Sequence, residues 1–296
     1  TSMCFVISSP SLFLSWVGLE LNTLAFLPLL LSKKSKLTSE ASIKYFLTQT
    51  LASVLILVGG LWSLTPLSAA TTVILLLGLS IKLGAAPFHS WVLSVAEASG
   101  WIPLFTLLTI QKVNPLLMLW MFCHLSMPFF YATVLSCLIV GGLAGLTQTS
   151  IRSILTFSSI NHVGWLMTAL SFSLGVGVYY FIIYLTTLLC SILIFHMFNV
   201  SHINQLPLLN FKPSSQMLLF FALLSLGGLP PFLGFLPKWM ILQLTVSYSL
   251  LLIGGAMISM SLVVLFFYLR LMFSSFMMGG ANLTTLNSDP LLFPVY

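Results

Sequence analysis

Residues 223–239 read LLSLGGLPPFLGFLPKW, an apolar stretch that glycine and proline interrupt and that closes on a charged residue, Lys238. Proline lacks a backbone N–H and its ring clashes with the preceding turn, so a helix that enters this stretch must break. A second stretch of the same kind, KLGAAPF, occupies residues 82–88. The apolar segments around them, 68–97 and 216–246, would each run about 45 Å as straight helices, against a hydrocarbon core of about 30 Å. The sequence therefore predicts two discontinuous membrane helices.

The composition excludes a water-soluble domain. Of the 296 residues, 59% are hydrophobic and only 5% are charged, whereas soluble domains carry roughly 25% charged residues. Apolar runs that are long enough to cross a bilayer as helices recur along the whole chain. We therefore predict an all-α polytopic membrane protein with about nine transmembrane helices. Their predicted bounds are 10–32, 40–62, 68–97, 102–123, 128–148, 150–171, 175–199, 216–246 and 247–274.

Lysine and arginine are unevenly distributed over the predicted loops. With nine alternating spans, the loop cations all fall on one side of the membrane: Lys33, Lys34, Lys36, Lys44, Arg152, Lys212 and Arg270. An excess of Lys and Arg marks the cytoplasmic or matrix side of a membrane. The sequence thus predicts a multi-pass protein whose basic loops face that side, as does the irregular tail at 275–296.

Several classes of function are disfavoured. The net charge of +6 comes from scattered cations that form no patch, so nucleic acid is not an expected partner. The four cysteines show no CxxC or metal-ligand spacing, which favours packing roles. The sequence has no dinucleotide fingerprint after a strand, no P-loop and no cysteine cluster for iron–sulfur. We therefore expect this chain to bind no cofactor and no metal of its own.

Four charged residues remain inside the predicted spans once the loop charges are set aside: Glu20, Lys82, Lys112 and Lys238. Each costs about 2.5–3.5 kcal/mol at the bilayer centre, so the set costs roughly 10–14 kcal/mol, comparable to the net stability of a whole domain. Ion pairs that fix helix register are the structural alternative. Residues this costly within a membrane are by default assigned to proton or ion handling.

The chemistry of these residues suits protons. Burial favours a neutral amine and a nearby carboxylate favours the ammonium, so Lys82 beside Glu20 can switch between holding and releasing a proton. Lys112 would then accept the proton through ordered water, and Lys238 would be the last carrier before an exit. His89 in APFHSW and His162 in SSINHVGW are further relay candidates, because histidine exchanges protons near neutral pH. For both histidines a hydrogen-bonded packing role is the alternative.

Six motifs, in order along the chain, closely resemble NADH–ubiquinone oxidoreductase chain 2, the mitochondrially encoded antiporter-like subunit of respiratory complex I. They are WVGLELNTLAFLPLL (16–30), EASIKYFLTQ (40–49), KLGAAPFHSW (82–91), QKVNPL (111–116), SSINHVGW (158–165) and LSLGGLPPFLGFLPKW (224–239). The resemblance implies one antiporter-like membrane domain over 1–296 that lacks the terminal helices of its relatives. Its inverted repeat would have halves at about 10–123 and 128–274, followed by the irregular tail.

The resemblance also implies a role for each buried charge. Glu20 is similar to the family's glutamate, Lys82 to its partner lysine before the first helix break, Lys112 to the central lysine and Lys238 to the lysine after the second break. The implied function is proton transfer across the mitochondrial inner membrane, coupled to quinone reduction elsewhere in the complex. The chain would be a subunit of an H⁺-translocating NADH:ubiquinone reductase, without redox catalysis of its own.

Further expectations concern partners and location. The resemblance implies contacts with neighbouring antiporter-like, small core and accessory subunits of the membrane arm, and it makes the basic face the matrix side. The complex as a whole uses FMN, iron–sulfur clusters, NADH and ubiquinone. Phospholipids are expected around the chain, with cardiolipin near the loop at Lys33–Lys36.

Two other interpretations stay open at this point. A stand-alone cation/proton antiporter uses the same kind of broken half-helices. However, a metal-cation site needs several carboxylates or a ring of carbonyls, and one glutamate among three lysines repels Na⁺. A structural scaffold without transport is the second alternative, and it predicts that the buried charges tolerate apolar replacements.

Overall fold

The computed structural model describes residues 2–9, 11–32, 35–62, 68–208 and 213–276, which are largely helical. The α-helices are α1 (Ser2–Ser8), α2 (Leu12–Leu30), α3 (Lys36–Trp62), α4 (Ser68–Leu83), α5 (Ser90–Ala98), α6 (Trp101–Leu108), α7 (Ile110–Phe122), α8 (Met127–Leu146), α9 (Ile151–Phe172), α10 (Leu174–Phe198), α11 (Pro213–Gly227), α12 (Phe235–Ser247) and α13 (Leu251–Phe276). Short 3₁₀ segments follow α7 and α10, at Cys123–Leu125 and Ile203–Leu208. The predicted all-α fold class is confirmed over these ranges.

Within the described ranges, six helical segments are long and apolar enough to cross a membrane: α2, α3, the pair α6–α7, α8, α10 and α13. The remaining predicted spans are of other kinds. Two of them, 68–97 and 216–246, are broken, and 150–171 forms α9, which is continuous but rich in Ser, Thr, Asn and His. α13 runs to Phe276, past its predicted end at residue 274. The membrane class is supported, and the count of nine spans stays a prediction.

α9 is enclosed by the rest of the protein. It is buried at every position from Ser153 to Leu170, and it packs against α5, α7, α8, α10, α12 and α13. The approach of α8 is close because Gly141 has no side chain, and a Cβ there would lie 2.6 Å from the Asn161 amide nitrogen. Since neighbouring helices shield α9 on all sides, it needs no apolar outer face. Its polar side chains therefore point into the protein interior.

Both predicted helix breaks are present, one between α4 and α5 and the other between α11 and α12. Each begins with a glycine in the left-handed region, Gly84 at φ 68° and Gly228 at φ 78°. A residue without Cβ adopts this conformation at no steric cost, which lets the chain leave the helix abruptly. The matching geometry agrees with an internal repeat. The inverted arrangement and the halves at 10–123 and 128–274 stay predictions.

The carbonyls that the first break frees are bonded within the protein. The Trp91 indole nitrogen donates to the Ile81 carbonyl (3.1 Å), and the Ser136 hydroxyl donates to the Ala86 carbonyl (2.7 Å). Such partners are required because hydrocarbon offers none to an exposed backbone group. The first break is therefore stabilised by side chains from α5 and α8.

A third break, which the sequence analysis missed, lies within the predicted span 102–123. Thr109 leaves the helical region (φ −120°, ψ −80°) and separates α6 from α7. Its hydroxyl donates to the Phe105 carbonyl (2.6 Å), and the Tyr184 hydroxyl reaches the Leu108 carbonyl (3.5 Å). Threonine hydroxyls bond back to the helix in many continuous helices, so a threonine at position 109 does not by itself predict a break. Because of this break, Lys112 lies in the first turn of α7 and not within one continuous helix over 102–123.

Residues before the first predicted span are also helical. The predicted span 10–32 left no helix upstream, but α1 packs on α2 and α7. Gly18 of α2 permits this contact, since a Cβ there would lie 2.7 Å from Val6 Cγ2. The Asn114 amide also donates to the Ser2 hydroxyl at 3.4 Å. Gly18, which lies two residues before Glu20, thus provides the contact surface for α1.

The predicted basic side is described in part. Outside the described residues lie Lys33, Lys34, Lys212 and the tail at 277–296. Arg152 donates to the Glu97 carbonyl (3.0 Å), and Arg270 donates to the carbonyls of Leu146 (2.8 Å) and Gln148 (2.6 Å). These bonds join the ends of α5 and α8 to α9 and α13. They agree with the predicted assignment of these helix ends to one side.

Gly228→Ala should destabilise the fold at the second break. A Cβ at this position would lie 2.8 Å from Lys238 Cδ and Nζ, and the left-handed backbone costs a residue with a side chain about 1–2 kcal/mol. We expect a lower midpoint of thermal unfolding for the purified protein. Gly255→Ala is the matched control, because a Cβ there meets nothing within 4 Å. Equal midpoints for the two variants would contradict this account of the break.

Candidate functional site

Glu20 and Lys82 form an ion pair between α2 and α4. Lys82 Nζ lies 3.1 Å from Glu20 Oε1, and the two side chains are 1% and 23% exposed. Lys82 stands in the last turn of α4, where the helix dipole favours a cation. Thr23 on α2 donates a further hydrogen bond to Glu20 Oε2 at 3.4 Å. The structure therefore brings together the two residues that the sequence analysis paired.

Lys112 is buried without a carboxylate partner in the described part of the chain. Its Nζ donates to the Ser159 carbonyl of α9 at 3.3 Å, and it interacts electrostatically with the Cys137 thiol of α8. The preceding residue, Gln111, donates a short hydrogen bond to the Tyr45 hydroxyl of α3. The start of α7 is thus joined by polar contacts to α3, α8 and α9.

Lys238 folds back onto the helix end that the second break creates. Its Nζ donates to the carbonyls of Gly227 (2.8 Å) and Leu226 (3.4 Å), and it lies 5.6 Å from the centre of the Trp165 ring. A cation at the C-terminus of α11 satisfies the freed carbonyls and complements the helix dipole. The charge beside the break therefore has a structural role that the sequence analysis did not foresee.

His162 interacts with both of the last two lysines. It is buried on α9, in electrostatic range of Lys112 and Lys238, and its Nδ1 lies 2.7 Å from the Tyr180 hydroxyl. Its Nε2 is buried and has no hydrogen-bond partner among the described residues. His162, Tyr184 and Lys238 line one small cavity. The centre of a water molecule has about 10 Å³ in which to move there, room for roughly one water.

His89 lies apart from these contacts. It is half-buried at the start of α5, its Nδ1 lies 3.1 Å from the Pro87 carbonyl, and its ring faces Phe157 at 6.0 Å. These partners are a neighbouring carbonyl and an apolar ring, as expected for a histidine that shapes the break. A relay role for His89 stays an untested prediction.

The structure adds residues that the sequence analysis did not select. Tyr45, Cys137, Tyr180 and Tyr184 all contact or face the buried charges. Tyr180 and Tyr184 stand one turn apart on α10, so their spacing was a usable signal. A tyrosine in an apolar span is nevertheless ordinary, since its ring is largely apolar. Only the packing of α10 against α9 shows that the Tyr180 hydroxyl and the Tyr184 ring contact His162.

Comparisons with known proteins decide the family. A family described as NADH:quinone oxidoreductase/Mrp antiporter, transmembrane region, matches residues 9–265. NADH-ubiquinone oxidoreductase chain 2 of Anopheles gambiae is 40% identical over 282 residues, covering 92% of this chain and 82% of that protein. The same protein of Branchiostoma floridae is 40% identical over 281 residues, covering 91% and 81%. The chain belongs to the NADH-ubiquinone oxidoreductase chain 2 family.

Solved structures agree with membership in this chain 2 family. A chain of respiratory complex I from Thermus thermophilus with bound aureothin superimposes with a TM-score of 0.85 at 26% identity, over 93% of this chain and 68% of that one. A chain of the Mrp complex from Dietzia sp. DQ12-45-1b gives a TM-score of 0.84 at 18% identity, over 93% and 58%. The second likeness shows a shared fold only. The resemblance found from the six sequence motifs is confirmed.

A double-mutant cycle at Glu20 and Lys82 tests the ion pair. Glu20→Gln and Lys82→Met should each lower stability, and the double variant should lose less than their sum, because neither charge is then left without its partner. We expect a coupling energy of about 1–3 kcal/mol, measured from unfolding midpoints of the purified protein. Glu40→Gln with Lys44→Met, on exposed positions of α3, is the control cycle. If the stability losses of Glu20→Gln and Lys82→Met are additive, the ion pair contributes no coupling energy.

Proposed function

We propose that the chain carries protons across the membrane as an antiporter-like core subunit of a respiratory complex I. The observation that carries this proposal is the set of buried ionisable side chains, which starts at the ion pair of Glu20 with Lys82 and ends at Lys238 on the second break. Membership in the chain 2 family supports the place of the chain in the complex. Proton transfer would be coupled to quinone reduction elsewhere in that complex.

The ion pair of Glu20 with Lys82 is the place where a proton would enter the relay. At 3.1 Å the Glu20 carboxylate stabilises the ammonium of Lys82, whereas separation would leave Lys82 in an apolar interior that favours the neutral amine. A small shift of α2 against α4 therefore changes whether Lys82 holds a proton. Glu20 is the more exposed partner, so it is the side of the pair that exchanges with an outside proton source.

Lys112 and His162 form the middle of the relay. Lys112 is bonded to a neutral carbonyl, so no carboxylate traps its proton. His162 lies within electrostatic range of both Lys112 and Lys238. A Tyr180 hydroxyl that donates to Nδ1 leaves the histidine proton on Nε2, the nitrogen that has no hydrogen-bond partner among the described residues. The ring would pass a proton on by gaining one at Nδ1 from the Tyr180 hydroxyl while Nε2 releases one to a water in the cavity shared with Lys238. The hydroxyl would regain a proton that started on Lys112.

Lys238 would couple proton release to the shape of the second break. Its ammonium holds the carbonyls of Leu226 and Gly227, and a neutral amine would hold them less strongly because charge-assisted hydrogen bonds are the stronger kind. Loss of the proton thus loosens the end of α11. This gives Lys238 one role that serves both the fold and the transfer.

The stand-alone cation/proton antiporter remains the competing function. The described carboxylates are Glu20, Glu40 and Glu97, and only Glu20 lies among the buried lysines. That arrangement is unfavourable for a metal cation. The shared fold with the Mrp complex is compatible with either function. Transport of Na⁺ by the isolated chain in vesicles would favour the antiporter.

The proposed setting follows from the sequence. We place the chain in the mitochondrial inner membrane with its basic loops towards the matrix, on the strength of the positive-inside bias. Neighbouring antiporter-like, small core and accessory subunits are its proposed partners, together with phospholipids, including cardiolipin. NADH, FMN, iron–sulfur clusters and ubiquinone would be handled by other subunits, and that this chain binds no cofactor stays a prediction.

Removal of a relay lysine should uncouple the complex without preventing assembly. We expect Lys82→Met, Lys112→Met and Lys238→Met each to lower proton-coupled quinone reduction by about tenfold or more, because a proton carrier is lost. The measurement is proton uptake per electron by the reconstituted complex. Lys44→Met, an exposed lysine of α3, is the matched control. A normal proton-to-electron ratio in assembled Lys112→Met would remove the relay assignment.

Tyr180→Phe should weaken the relay by freeing His162. Loss of the hydrogen bond to Nδ1 removes the group that fixes the proton on Nε2, with an expected effect of about two- to tenfold on coupled turnover. The pH profile of turnover should change as well, which mere loss of packing would not cause. Tyr179→Phe, the exposed neighbour, is the control. An unchanged pH profile in Tyr180→Phe would refute this role for the hydroxyl.

A further inference from the structure

The first helix break is held by two consecutive residues of α8. The Ala86 N–H donates to Cys137 Sγ at 3.2 Å, and the Ser136 hydroxyl donates to the Ala86 carbonyl at 2.7 Å. These bonds fix the peptide planes on both sides of Ala86, which leaves this residue little freedom to rotate. We call Ser136 and Cys137 the α8 clamp.

The clamp lies between the two lysines of the first half. Lys82 ends α4 just before the break that the clamp holds, and the Cys137 thiol interacts electrostatically with Lys112. The sulfur thus bonds the Ala86 amide and lies within electrostatic range of Lys112. Both Cys137 and Lys112 are buried, so water screens this interaction little.

The clamp is anchored to the helix that carries His162. α8 approaches α9 closely at Gly141, and the Asn161 amide donates to the Leu138 carbonyl at 3.4 Å. α8 and α9 also share one of the two most extensive helix contacts in the described part of the chain. The clamp therefore connects the first break to α9 through hydrogen bonds and close helix packing.

We propose that the α8 clamp positions the first break so that Lys82 and Lys112 remain in the geometry needed for proton transfer between them. The proposal rests on the proposed function, and it makes Ser136 and Cys137 positioning residues that carry no proton themselves. Because protons transfer only over short, well-aligned contacts, a break that rotates about Ala86 slows the step. Through its bonds to Ala86, the clamp also joins the two predicted halves of the chain.

The test uses clamp variants in the assembled complex reconstituted into vesicles. Cys137→Ala and Ser136→Ala each remove one bond to Ala86, and Cys137→Ser keeps an acceptor at that position. Cys123→Ala is the matched control, since Cys123 is a buried cysteine whose thiol donates to the Trp120 carbonyl. Assembly is checked by the amount of intact complex, and proton uptake per electron is the main readout. Hydrogen exchange at residues 84–89 reports the break directly.

We expect Cys137→Ala and Ser136→Ala to lower coupled turnover by about two- to tenfold and to speed exchange of the Ala86 amide by a similar factor. Cys137→Ser should recover most of both, whereas Cys123→Ala should change neither. A packing role alone would not restore slow exchange of the Ala86 amide in Cys137→Ser, since that requires an acceptor for the amide. If Cys137→Ala does not assemble, Ser136→Ala and Cys137→Ser still distinguish a hydrogen-bonding role of the clamp from a packing role.

The outcomes separate this proposal from the proposed function. Normal coupling in both alanine variants, together with loss of coupling in Lys112→Met, would overturn the clamp and leave the relay intact. Normal coupling in Lys112→Met would overturn the relay itself. Faster exchange at residues 84–89 with unchanged coupling would also overturn the clamp, because the break would then move without consequence for transfer.

Discussion

The fold depends on one constraint: backbone groups freed inside a membrane must find partners within the protein. Each break in a long helix creates carbonyls that the helix no longer bonds, and each break here is satisfied differently. Trp91 and Ser136 serve the first break, and Tyr184 serves the break at Thr109. Lys238 serves the last. Of these groups, Lys238 belongs to the proposed relay, and Tyr184 lines the cavity that Lys238 shares with His162.

The partners available at helix ends explain how costly charged side chains persist in the interior of the protein. A lysine at the C-terminal end of a half-helix complements the dipole and bonds the orphan carbonyls, which offsets part of its burial cost. Lys82 lies in the last turn of α4, and the Lys238 side chain reaches from the first turn of α12 to the end of α11, where it bonds two carbonyls. Lys112 is not at a C-terminal helix end, because it stands at the start of α7 and relies on the Ser159 carbonyl. Its weak stabilisation is consistent with a carrier that passes its proton on.

Much of the fold was predictable from local sequence. The breaks followed from glycine and proline in spans too long for the bilayer, and the structure confirms both. The pairing of Glu20 with Lys82, expected from their opposite charges and from the family resemblance, is present at 3.1 Å. The break at Thr109 and the helix α1 were missed, because neither contains a residue that forbids the alternative. Their conformations depend on contacts with α10 and α2.

The sequence by itself determined the membrane class, the two broken helices, the family and the identity of the buried charges, since these depend on composition and on residues with fixed conformational limits. Tertiary structure decided which groups meet. That Lys238 caps α11, that Tyr180 fixes His162 and that Cys137 holds Ala86 all join residues on different helices or across a break. Hydrogen bonds act only at contact distance, and the distances between helices are set by packing, which no local pattern records.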